Sequence, residues 1–199
     1  MEPAEAEEDG NGERIGRVKA PRGARRIGDH QVNFMDVHLL RRRGAVVKLI
    51  SSILLCQMVG IIGSIFTSSS VSTWYPRLVK PAFTPPGWLF APVWATLYLL
   101  MGLSLFLMLV KGREKGRLRI SLPLFAAQLV LNGAWSYLFF GLRNPLYGLI
   151  GIILLWIMIL LTIVEASKVS RAAAALLLPY LAWVSIAATL NFYIWRLNA

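Results

Sequence analysis

The sequence predicts an all-α integral membrane protein: a five-transmembrane-helix bundle with a disordered N-terminal tail. Three observations lead there. Of 199 residues, 56% are apolar and 16% charged, against roughly 45–50% and about 25% in a soluble domain. Charge is also segregated: eight of the ten acidic residues lie in the first 36 positions, which leaves Glu114 and Glu165 for the rest. Finally, five apolar segments follow the tail, at about 45–66, 87–110, 120–140, 146–166 and 172–195. Each is near the roughly 20 residues that cross about 30 Å of hydrocarbon as a helix. Helices are the expected spanning form, because backbone groups in lipid must find partners within the chain. A soluble enzyme is excluded.

The tail comes first, as residues 1–44. Glu2 to Glu13 carries six acids and no base, and Arg14 to Arg43 then carries nine bases. Gly10, Gly12, Gly16, Gly23 and Gly28 interrupt any helical pattern, so a charged, disordered extension is expected. It has no apolar h-region before Val46, and its acidic start fits poorly with a mitochondrial presequence.

The membrane domain, 45–199, is punctuated by its own turn chemistry. Thr84 is expected to cap the second helix, with Pro85 and Pro86 in its first turn. Arg143-Asn144-Pro145 separates the third helix from the fourth. The connections after the second helix are short, which favours antiparallel neighbours; only the first, 67–86, is long. With five spans, the tail shares a side with the loops at 111–119 and 167–171. That side holds 17 basic residues against four on the other, namely Arg77, Lys80, Arg143 and Arg196. The positive-inside rule places the N-terminus in the cytoplasm and the C-terminus outside for a plasma membrane. A mitochondrial outer membrane is the alternative location.

Composition also limits the chemistry. His30 and His38 precede the spans and Cys56 is the sole cysteine. No intrachain disulfide and no intramembrane His/Cys metal site is expected. A hydrolase triad or a carboxylate pair lacks its residues. The pI near 10.4 records topology, and no nucleic-acid partner is expected. Ion or proton pathways normally need charge at depth, and Glu165 stands at a helix end where solvation is expected. No internal repeat of the transporter kind is evident.

Uncharged polar and aromatic residues remain. The long loop carries Trp74, Tyr75, Phe83 and Trp88 with four prolines between Pro76 and Pro86. It fits either a lid over the bundle mouth or an interfacial aromatic belt. Trp94 and Tyr98 are four apart on the second helix and share a face. Gln128, Asn132, Trp135 and Phe139 form one line on the third helix, and Pro179, Trp183, Ala187, Asn191 and Trp195 another on the fifth. Amides inside a span should face the bundle interior, where they find partners. Singly, these residues read as helix packing; together they describe a cavity with flat aromatic walls, suited to a large planar ligand.

Four stretches also carry a family resemblance. Trp74-Tyr75-x-x-Leu78-x-Lys80-Pro81-x-x-x-Pro85-Pro86-x-Trp88, Pro92-Val93-Trp94-x-x-Leu97-Tyr98-x-x-Met101-Gly102, Leu131-Asn132-x-x-Trp135-x-x-x-Phe139-Phe140-Gly141 and Pro179-Tyr180-Leu181-x-Trp183-x-x-x-Ala187-x-x-Leu190-Asn191 resemble the translocator protein family. Its members are also called tryptophan-rich sensory proteins or peripheral benzodiazepine receptors. The resemblance covers about residues 50–197 and leaves the tail outside.

This resemblance implies a five-helix bundle, usually a homodimer, that binds porphyrins, haem-type tetrapyrroles and, in animal members, cholesterol. No cofactor is required beyond the tetrapyrrole ligand. It implies that Trp94, Asn132, Trp135, Trp183 and Ala187 border the ligand, with Trp74, Tyr75 and Tyr98 as further candidates. Leu190, Tyr193 and Arg196 fit a short sterol-recognition pattern, for which interfacial anchoring is the plainer reading. Gly133 stands where animal members often carry an extra Trp, which implies a roomier or differently shaped pocket there. Two functions follow: a receptor, transporter or sensor of porphyrins, or a light- or oxygen-dependent porphyrin-degrading activity that uses Trp94 and Trp183.

Overall fold

The computed structural model describes the backbone of residues 26–112, 116 and 118–199, with side chains from Arg43 onward. Its helices are α1 (Arg26–Val71), α2 (Gly87–Lys111), α3 (Leu118–Ser136), α4 (Pro145–Val169) and α5 (Arg171–Asn198). A 3-10 turn, Tyr75–Arg77, lies in the long loop, and a π-helical turn, Tyr137–Gly141, continues α3. All five helices are long and apolar enough to cross a membrane, α1 from Arg43 onward. The chain divides into two units, 1–41 and 42–199, and everything below concerns the second.

Several boundaries differ from the sequence expectation. α1 begins at Arg26, inside the segment expected to be disordered, and residues 1–25 lie outside the described ones. Between Gly28 and Gly44 the sequence has no Gly or Pro, so nothing there breaks a helix. At its other end α1 runs to Val71, five residues past Phe66. Thr67, Ser68 and Ser69 donate their hydroxyls back to the carbonyls of Gly63, Ile65 and Phe66, so these polar groups are satisfied within the helix itself.

Thr84 does not cap α2. Its hydroxyl donates to Pro81 O at 2.7 Å and closes a turn within the loop, while Pro86 stands at the N-cap position. The start of α4 follows expectation: Asn144 Oδ1 accepts from the Leu146 and Tyr147 amides at 3.0 and 3.2 Å, with Pro145 in the first turn.

α4 packs most extensively on α5 and α3, and α5 also packs on α2. The shared interior holds Met101, Met108, Ile152, Leu155, Ile159, Leu177, Tyr180 and Val184, all essentially inaccessible. Small residues permit the closest approaches, as in other membrane bundles. A methyl group on Gly102 would come within 2.6 Å of Ile53 Cα, and one on Gly148 within 2.6 Å of the Phe139 ring. α1 lies at the rim, with 11% of its most apolar window buried against 33–39% in the other four. Val46, Ile50, Leu54, Met58, Ile61 and Ile65 point outward from it. That surface belongs against lipid, where apolar exposure carries no penalty.

Candidate functional site

The centre of the bundle is tied by one amide. Tyr98 of α2 donates its hydroxyl to Asn132 Oδ1 at 2.5 Å, and Asn132 Nδ2 donates to the Tyr180 hydroxyl of α5 at 2.7 Å. All three side chains are at most 6% exposed. This bridge is what an amide inside a span requires: its donor and its acceptor both find partners on neighbouring helices. Trp94, one turn along α2, tilts over Tyr98 with ring centroids 5.6 Å apart and meets Tyr180 edge-on at 6.4 Å.

Trp183 continues this layer on α5. Its ring stands edge-on to Phe90 at 5.7 Å, and its indole N–H is buried with no acceptor. Ala187, one turn further, packs against the same core. Of the residues singled out in sequence, Trp94, Tyr98 and Asn132 come together and pack on one another, while Trp183 and Ala187 pack against the same core. A groove of about 350 Å³ lies elsewhere, between α1 and α3, and none of these residues lines it. Gly133 does, 3.4 Å from Val59 when given a methyl group. Its lack of a side chain helps to shape that groove.

Trp74, Tyr75 and Trp135 form a second group around the π-helical turn. Trp135 stacks on Phe139 at 5.6 Å with planes 21° apart, and its N–H donates to Asn191 Oδ1 at 3.3 Å. Asn191 in turn donates to Pro145 O at 2.8 Å. Trp74 and Tyr75 meet Phe139 edge-on at 5.6 and 6.3 Å, and Tyr75 also meets Phe140. The extra residue per turn in a π-helix brings Phe139 and Phe140 to face both the loop and α5. Phe90, beside Trp183, packs against this cluster too and links the two groups.

The loop is fastened at two further points. Asn198 Oδ1 accepts from the Val79 amide at 3.0 Å while its Nδ2 donates to Val79 O at 2.9 Å. Phe83 meets Tyr193 edge-on at 5.5 Å. Lys80 Nζ donates to the carbonyls of Tyr75, Pro76 and Leu78 and lies 4.8 Å from the Tyr75 ring centre. Burial pushes the Tyr75 phenol above its ordinary value, so the ammonium faces a neutral ring.

Other candidates part company. Leu190 is buried among Phe139 and Ile194, whereas Tyr193 and Arg196 are exposed, so the sterol-pattern residues do not present one face. Glu165 pairs with Lys168, and its second carboxylate oxygen is buried, which differs from the solvated end expected. Gln128 is buried without a partner.

Sequence reasoning left Tyr180 and Phe90 out of the site. Tyr180 was legible in principle, since Tyr180, Trp183 and Ala187 fall on one i, i+3, i+7 line.

Five apolar helices around an uncharged, aromatic and amide-lined centre define a polytopic membrane protein whose interior offers stacking surfaces and hydrogen bonds. Residues 52–196 match the family described as TspO/MBR. The tryptophan-rich protein TspO of Chlorobaculum tepidum is 49% identical over 144 residues, 72% of this chain and 91% of that protein. Its namesake in Archaeoglobus fulgidus is 48% identical over 155 residues, 77% of this chain and 99% of the relative. The translocator protein of Bos taurus is 38% identical over 146 residues, 73% and 86% of the two chains. The chain belongs to the TspO/MBR family and is an integral, multi-pass membrane protein.

Proposed function

We propose that this protein is a membrane receptor or sensor that takes a porphyrin or related tetrapyrrole between α2, α3 and α5. The observation that carries the reading is Trp183: an indole N–H buried without an acceptor, on a ring that meets Phe90 and packs against the same core as Trp94. A flat ligand would replace the contacts these rings make with Phe90, Tyr98 and Tyr180 and offer Trp183 a ring nitrogen or carbonyl. Stacked aromatic surfaces suit such a ligand because their attraction depends on face area rather than on charge. Asn132 holds the floor of the layer and Ala187 keeps its wall thin. The loop from Trp74 to Trp88 is the lid, fastened by Asn198 and Tyr193. Porphyrin titration, followed by Trp quenching and the Soret band, tests the reading. Saturable quenching supports it, and none at micromolar ligand contradicts it.

A second reading has one observation in its favour. Trp94 touches two phenols joined through Asn132, so an electron leaving its indole for a photoexcited porphyrin has aromatic neighbours to replace it. Illumination with and without oxygen separates the two readings through loss of the porphyrin band.

The 17-to-4 distribution of basic residues supports a cytoplasmic N-terminus in a cell membrane. Association into a homodimer across the α1–α3 groove, and sterol contact at Tyr193 and Arg196, belong to the same proposal. Crosslinking in lipid tests the first and sterol photolabelling the second.

A further inference from the structure

Below the Tyr98–Asn132–Tyr180 bridge lie two polar side chains that no protein group satisfies. Gln128 is 1% exposed, and neither its amide nitrogen nor its carbonyl oxygen has a hydrogen-bond partner. Ser52 is 2% exposed, and its hydroxyl has none either.

Register puts them in one layer. Gln128 precedes Asn132 by four residues, so it lies on the same face of α3, one turn toward that helix's N-terminus. α2 runs the opposite way, so one turn beyond Tyr98 on that side is Gly102. Gly102 lies directly against Ile53, the neighbour of Ser52 on α1. Higher on α1, Gly60 abuts the Tyr98 ring, which fixes the direction: Ser52 and Gln128 are both on the N-terminal side of that contact. Their depths agree to within about one helical turn. Cys56, fully buried, stands one turn above Ser52 on the same helix.

We propose that Ser52 and Gln128 form an internal hydration site, in which water bridges α1 to α3 beneath the ligand layer. The donor set selects the occupant. Gln128 presents two donors and an acceptor, and Ser52 one donor and an acceptor's lone pairs. Both are neutral, and the buried residues flanking Gly102 on α2 and Gln128 on α3 (Met101, Ser104, Leu105, Phe125 and Leu129) are neutral too. An ion would stand there uncompensated. Water supplies a donor and an acceptor to each side chain in a site closed to bulk solvent, as buried waters generally do. The site is separate from the aromatic layer, and the proposal stands whatever ligand that layer takes.

The test uses the full chain in lipid nanodiscs with nitrogen-15 in its glutamines. Only Gln31, Gln57 and Gln128 then give side-chain amide signals. Gln128→Met identifies the Gln128 pair by its disappearance, and if that variant does not fold, Gln31→Ala and Gln57→Ala identify it by elimination. The expected result is a direct cross-relaxation peak between the Gln128 amide protons and water, lost or strongly reduced in Ser52→Ala. A Gln128 pair with cross peaks to protein protons alone, and none to water, overturns the proposal. So does a water peak that Ser52→Ala leaves unchanged, because Ser52 would then be no part of the site.

Discussion

Asn132 is the residue on which three helices depend, and its substitution gives a sharp prediction. Asn132→Leu keeps the branched shape but leaves the Tyr98 and Tyr180 hydroxyls without the partner that joins them. Leaving buried polar groups unpaired costs about 1–3 kcal/mol, and inter-helix bonds in membranes average nearer 0.6 kcal/mol. A loss of about 1–2 kcal/mol, read from thermal or denaturant unfolding in detergent, is expected. This position was legible in the sequence, because an amide in the middle of a span must turn inward. Trp94, Tyr98 and Trp183 were legible for a related reason, as rings spaced along single helical faces. Gly133 was not. A glycine carries no side chain whose polarity reveals its face, and the structure turns it toward Val59 and the α1–α3 groove.

At the scale of elements, the loop and α1 make separate predictions. Asn198→Ala removes both hydrogen bonds to Val79 while leaving every ring of the aromatic layer in place. Ligand association and dissociation should both become faster in stopped-flow quenching, with affinity changing less than either rate. Equal, unaltered rates would show that the loop does not control access. Gly102→Leu should separate α1 from α2, since even a methyl group there would lie 2.6 Å from Ile53 Cα. Overpacking of a close contact typically costs 1–3 kcal/mol, and a lower melting temperature with freer protease access to α1 is the expected readout. The five spans were legible from length and hydropathy alone. The fastening of the loop was not, because a side chain clamping a backbone segment 119 residues away leaves no periodic trace in sequence. The end of α1 was missed for a local reason: three hydroxyl side chains that satisfy their own helix read as a polar loop.

For the whole molecule, residues 42–199 form a unit that holds every candidate site residue. Deletion of residues 1–40 should therefore leave porphyrin binding intact, checked by titration of the shortened protein in the same detergent. Reporter fusions at the two termini should report opposite sides of the membrane, as five spans require. The central claim concerns where a flat ligand sits, and porphyrin titration of three Trp→Phe variants, each verified as folded, tests it most directly. Trp94→Phe and Trp183→Phe should each weaken binding by up to roughly tenfold, the equivalent of the 0.5–1.5 kcal/mol an aromatic pair contributes beyond its burial. Trp156 donates to Ser185 at 2.8 Å on the α4–α5 seam, away from the Tyr98–Asn132–Tyr180 hydrogen bonds, so Trp156→Phe should leave affinity unchanged. A loss at Trp156 equal to that at Trp94 and Trp183 would contradict the account.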